Sequence, residues 1–419
     1  MNIILCSSLW FLCSCMFGAD QDSLLNVRVL LGSYPLKEDI AIELFSENGL
    51  IITGSREPQK KYFFDDLATV RLTRTQLHIN HKHEDSQILR VTPVNGHVEF
   101  NGNKYGGMFY VYRTKNTLDI INVLPLEDYV YCVLKTEGWP GWPKEVYKVF
   151  AVACRSYVLY QLRQAKRLKK HYHICSTNSH QTYSGVHSCP IIKQAVEETR
   201  GVFLGYRNEP ILAMFDACCG GIVPAKIRHG VNFAEAPYLA RKYPCTYCKG
   251  YKIFSWSKDI STKKLVNLLQ DQVPSLNAID DIYTITDPAG VVQKIVVVDD
   301  YDEYAIEGKK MYSLMPSIKS FAYTCKKRRG IITFKGVGFG HHFGLCQWGA
   351  REMVNQGFDY KEILKFYYPG TKFMKLCKKL PAHNVEQEAQ PVLTPSELTP
   401  SELAQPEMVA PVHETAAAA

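Results

Sequence analysis

The sequence predicts an α+β protein with a strand-rich N-terminal region, a helical catalytic core and a disordered C-terminal tail. Three observations carry this. Residues up to about 122 alternate in polarity between turn residues, as half-buried strands do. From Leu126 the apolar spacing becomes helical. The end of the chain is rich in Pro, Glu and Ala and repeats Thr-Pro-Ser-Glu-Leu at 394–398 and 399–403.

The elements follow in order. Residues 3–17 form an apolar run before Gly18-Ala19-Asp20, so residues 1–19 read as a secretory leader, too short for a comfortable membrane span. Cys15 sits where a lipoprotein leader would carry its lipid. The chain is therefore expected to be exported, periplasmic or envelope-associated. Residues 20–122 form the strand-rich region, with strands such as Val27-Arg28-Val29 and Ala41-Ile42-Glu43-Leu44. Asn48-Gly49 and Asn101-Gly102 are hairpin-type turn signals. Residues 123–375 carry the helices. Leu126, Val130, Val133, Leu134 and Glu137 share one helical stripe, stopped by Gly138 acting as its C′ residue. A second helix is predicted from about Lys144 to Lys166, with Pro143 at its first turn. A short helix near 191–199, a hairpin around Arg207-Asn208-Glu209 and a helix at 262–270 come next. Asp359 and Glu362 have capping-box spacing before a last helix. Residues 376–419 are the tail.

Composition narrows the class. Apolar residues make up 46% and charged residues 21%, as in globular proteins. The formal net charge of +8 suits an anionic polymer. The chain lacks zinc-finger, RRM and helix-turn-helix signatures, so a nucleic-acid partner is not expected. Of 14 cysteines, three lie in the leader. Cys245 and Cys248 form a lone CxxC. A local disulfide, half of a metal site and simple packing all stay open for it.

Three constellations carry candidate chemistry. Glu137 ends its apolar stripe beside Trp139 and Trp142. A poorly solvated carboxyl there has a raised pKa and suits proton donation, and indoles offer flat faces to sugar rings. The alternatives are a helix-end cap or a pair with Arg155. His341 and His342 lie in a Gly-rich segment, 336–349, that is not a nucleotide loop. They serve either a substrate or core hydrogen bonding. His171, His173, Cys175, His180, His187 and Cys189 crowd a loop, where zinc ligation and a disulfide are both open.

The blocks Leu126-Glu127-Asp128-Tyr129-Val130, Val133, Glu137, Trp142-Pro143 and 151–157 (AVACRSY) resemble the stage II sporulation protein D (SpoIID) family. Gln181-Thr182-Tyr183-Ser184-Gly185 resembles its Q-x-Y-x-G element. Gly340-His341, then 347–350 (QWGA), Ile363-Leu364 and 367–370 (YYPG), resemble its C-terminal block. The resemblance makes 123–375 a SpoIID-like catalytic domain and implies a lytic transglycosylase acting on peptidoglycan glycan strands, often stripped of stem peptides. The family's catalytic glutamate falls on Glu137. Candidate substrate contacts are Trp139, Trp142, Arg155, Gln181, Tyr183, His341, His342 and Gln347, with Arg155 or Lys144 in a basic groove. No cofactor is required for this chemistry. Some members bind zinc before the Q-x-Y-x-G element, which implies ligands at His171 or His173, Cys175 and His180. The sequence departs from the family at His342, where Gly is usual, and at Cys218-Cys219, where small hydroxyl residues are common. It also departs at His180, which replaces a cysteine. Two other roles compete: a glycan-binding activator of a cell-wall amidase, and a scaffold that docks through its tail.

Overall fold

Alternating burial along the N-terminal strands builds two sheets that share one apolar core. A computed structural model describes residues 25–376, except 37, 38, 74, 75 and 178. The expectations for the leader, Cys15 and the 376–419 tail fall almost wholly outside the described residues.

The first sheet has seven strands in the order Ile174–Cys175, Asn26–Pro35, Thr117–Pro125, Met108–Arg113, Ile88–Pro93, Leu50–Gly54 and Lys61–Phe64. All neighbours are antiparallel except Ile174–Cys175, which runs parallel to Asn26–Pro35. The second sheet has six, with Ile40–Phe45 and Leu67–Thr73 at its centre. Ile40–Phe45 alternates buried and exposed residues, as a strand with one wet face must. Thr117–Pro125 is buried almost throughout, because protein covers both its faces. Asn101-Gly102 makes the predicted hairpin, with φ of 49° and 75°. The Asn48-Gly49 turn instead joins strands of different sheets.

Thr117–Pro125 runs directly into helix α1 (Leu126–Glu137), with Glu127 and Asp128 in its first turn favouring the positive end of the helix dipole. Gly138 ends α1 with φ −93°, in extended rather than left-handed backbone. Helix α2 (Lys144–Arg167) starts after Pro143, which is its N-cap. Val149 through Leu159 are all buried, so the middle of α2 is enclosed on every side, while its last turns bury Gln161 and Ala165 and expose Arg163, Lys166 and Arg167. It packs against α1, α3 (Pro190–Glu198) and the strand Val202–Tyr206. The core is continuous across the 122/123 junction.

Residues 255–337 build a second unit with its own core, centred on Leu265, Leu269, Ile295, Val297 and Phe334. It holds two three-stranded antiparallel sheets, helix α4 (Thr262–Leu269) capped by Ser261, and α5 (Gly308–Leu314). Helix α6 (Gln347–Asn355) and α7 (Tyr360–Tyr367) return to the main body, and Asp359 and Glu362 form the predicted capping box. The 123–375 region is thus not purely helical. It is mixed, because a strand-built unit supplies one wall of the cleft described next. Among the described residues no helix is long and apolar enough to cross a membrane.

Candidate active site

A cleft opens between the two cores. Glu137, Trp139, Tyr157, Thr182 and Gln347 line it from the main body, and Lys309, Tyr312 and Phe321 line it from the second unit.

Glu137 is the last residue of α1. Its Oε1 accepts the backbone N–H of Thr182 at 2.5 Å. The Gln347 amide donates to the Glu137 carbonyl at 3.0 Å, fixing the helix end from a segment 210 residues away. Thr136 Oγ1 donates to the Thr182 carbonyl at 2.5 Å, so the end of α1 and Thr182 are tied twice. Burial raises the Glu137 pKa to about 7, and the Thr182 hydrogen bonds oppose that rise. A carboxyl half-protonated near neutrality is a competent general acid.

The Q-x-Y-x-G element works through its unnamed position. Gln181 is fully buried and accepts from Tyr129 Oη at 2.9 Å. Tyr183 is buried and donates to Asn122 Oδ1 at 2.6 Å. These two hold the segment so that Thr182, between them, meets Glu137. They are positioning residues, not the substrate contacts expected from sequence.

Two more expected contacts are also structural. Arg155 is fully buried and gives a bidentate pair to Glu127, with Nε–Oε1 at 2.9 Å and Nη2–Oε2 at 2.5 Å. It also donates to the Val202 carbonyl at 2.8 Å. It therefore locks α1, α2 and a strand together, and its partner is Glu127 rather than Glu137. Lys144 is held by Glu198 at 2.5 Å, so the expected basic groove does not form around this pair; Lys309 lines the cleft instead. Trp142 is 3% exposed and stacks beneath Trp139 at 6.4 Å. Only Trp139 of the two reaches the cleft, because Trp142 is gripped by Phe150, Trp348 and Arg351.

His341 lines the cleft and accepts the Phe343 N–H at Nδ1, 3.0 Å. Burial lowers its pKa to about 3, so it is neutral at physiological pH. His342 is buried, with Nδ1 3.0 Å from the Cys219 carbonyl. Its φ is +72°, a left-handed conformation that favours glycine and gives the departure from the family at this position its physical meaning. Gly340, in the Gly-rich segment, lines the cleft beside His341. A Cβ on Gly340 would meet Asp216 Cβ at 2.3 Å, so this glycine admits neighbouring chain.

Asp216 was not legible in the sequence. It lines the cleft, accepts the His342 N–H at 2.7 Å and leaves Oδ1 without a protein partner. Burial pushes its carboxyl well above the usual carboxylate range. Thr182 was equally missed, although its place between Gln181 and Tyr183 was a signal.

The expected zinc ligands do not converge. His171 Nε2 is 2.6 Å from Asp119, and His173 is engaged by Arg28. Cys175 meets His180 only through its backbone N–H, at 3.1 Å. Among the described residues, the group able to hold a metal is Cys219, Cys245, Cys248 and Cys346, all buried.

A family model described as Stage II sporulation protein (SpoIID) matches residues 114–206, the stretch that contains Glu137, Arg155 and Thr182. An uncharacterized protein of Brachyspira hyodysenteriae is 34% identical over 274 residues, covering 64% of this chain and 72% of that protein. Stage II sporulation protein D of Bacillus amyloliquefaciens is 26% identical over 274 residues, covering 62% of this chain and 76% of that protein. A protein of Bacillus subtilis named amidase enhancer is 23% identical over 286 residues, covering 57% of this chain and 39% of that protein.

Proposed function

Because this chain belongs to the SpoIID family, we propose that it is an exported peptidoglycan lytic transglycosylase with Glu137 as its one acid and base. A cell-wall role fits the family and the relative named amidase enhancer. The observation that carries the finer reading is that Glu137, of the carboxyls lining the cleft, has a pKa raised to about 7 and a position fixed from two sides.

Protonated Glu137 donates its proton to the glycosidic oxygen as the bond to C1 breaks. The carboxylate left behind is met by the Thr182 N–H. It then takes the proton of the sugar's own C6 hydroxyl, whose oxygen bonds to C1 and closes a 1,6-anhydro ring. Proton and electron pairs balance with no water consumed. Ordinary glycosidases need a second carboxylate for the nucleophile or base. Here an intramolecular hydroxyl takes that part by proximity. Trp139 offers a flat face to a sugar ring, the opposite wall carries Phe321 stacked on the buried Tyr312, and Lys309 offers a charge to a lactyl carboxylate.

A cell-wall amidase is the proposed partner, since it would supply peptide-stripped strands. The test is mass spectrometry of products from amidase-treated and intact peptidoglycan. Anhydro-ended fragments from the wild type, absent with Glu137→Gln, support the reading. Wild-type turnover by Glu137→Gln removes Glu137 from the role.

A further inference from the structure

Four thiols that the reaction does not use meet behind the cleft. Cys219, Cys245, Cys248 and Cys346 are all buried, and their sulfurs lie within 4.8 Å of one another. Cys219 Sγ is 3.8 Å from Cys248 Sγ, which is 3.9 Å from Cys245 Sγ. A disulfide bond is about 2.05 Å long, so these are not bonded pairs. Zn–S bonds of about 2.3 Å in a tetrahedron place sulfurs about 3.8 Å apart.

We propose that Cys219, Cys245, Cys248 and Cys346 bind a single structural zinc ion. The surroundings suit thiolates. Cys346 Sγ accepts two backbone N–H groups at 3.3 Å, from Cys219 and from Gly349. The second of these makes Cys346 the N-cap of α6, where the helix dipole favours negative charge. Tyr367 Oη lies 3.2 Å from Cys245 Sγ. A Cβ on Gly349 would meet Cys245 Sγ at 2.9 Å and Cys346 Sγ at 3.2 Å, so only glycine lets the helix start this close to the sulfurs. An all-thiolate tetrahedron has no open position, which makes the site structural rather than catalytic. Each thiol gives its proton to solvent as its bond to the ion forms, and no electron moves.

The ion would join three segments remote in sequence. Cys219 lies just past the strand Phe215–Asp216, which pairs in parallel with Leu345–Cys346. Cys346 precedes Gln347, which holds Glu137, and the Cys219 carbonyl faces His342. The zinc thus fixes the floor of the cleft. The proposal does not depend on which bond Glu137 cleaves.

The test is metal analysis of the full chain purified without chelator. One zinc per chain is expected. Replacement by cobalt should bring the intense thiolate-to-metal absorption of a tetrahedral sulfur site. Cys248→Ser and Cys346→Ser should lose the ion, while Cys325→Ser, in the other core, keeps it. The wild-type measurements decide the matter even where a variant fails to fold. Metal-free wild-type protein that takes up no cobalt, stoichiometric iron instead of zinc, or a Cys245–Cys248 disulfide in non-reducing peptide maps would each overturn it.

Discussion

Glu137→Gln should make the protein inactive and, above neutral pH, more stable. The carboxyl's pKa is raised to about 7 from an ordinary value of 4.5, and burial is the largest cause. A folded-state pKa above the unfolded one means the native state holds its proton more tightly. Stability from this group is therefore full below pH 4.5, falls as pH rises through the window to 7, and stays low beyond it. At about 1.36 kcal/mol per unit, the wild type loses about 3 kcal/mol across that window. The carboxamide does not ionise, and it keeps an oxygen for the Thr182 N–H. Urea unfolding of both proteins at pH 4, 5, 6, 7 and 8 measures the difference. The variant should match the wild type at pH 4 and exceed it by about 3 kcal/mol at pH 8. A flat difference, or a less stable variant at pH 8, would refute the claim that burial strains the ionised carboxyl.

Other outcomes follow from the same geometry. Arg155→Ala should cost about 3–5 kcal/mol of stability in urea unfolding, since it leaves Glu127 buried without its partner. Arg155→Lys should not restore it, because an ammonium cannot match the bidentate fork. Gln347→Ala frees the end of α1, so kcat should fall about 10–100-fold while KM changes little in steady-state cleavage assays. The wild-type rate should hold below pH 7 and fall above it as Glu137 loses the proton it must donate; an activity that rises through pH 8 would contradict this.

Local pattern made the helices legible. Leu126–Glu137 and Lys144–Arg167 emerge nearly as read, because apolar spacing at 3.6 residues depends on neighbours in sequence. The Asn101-Gly102 hairpin and the Asp359–Glu362 capping box are local for the same reason. What failed was long-range. Arg155 reads as a groove cation until Glu127, 28 residues away, folds against it. Trp142 reads as a sugar platform until Trp348 and Arg351 cover it. The sulfur cluster draws on residues 127 positions apart, and only Cys245 and Cys248 had a visible spacing. The helix Gly308–Leu314 is short and begins at glycine, so no periodicity announces it.

The most direct test of a one-carboxylate reaction is cleavage in water enriched in oxygen-18, read by mass spectrometry of the new chain ends. If the sugar's own C6 hydroxyl is the nucleophile, no heavy oxygen enters and the ends carry the 1,6-anhydro ring. One heavy oxygen at each new reducing end would mean that water attacks, and that Glu137 works with a second group as a hydrolase.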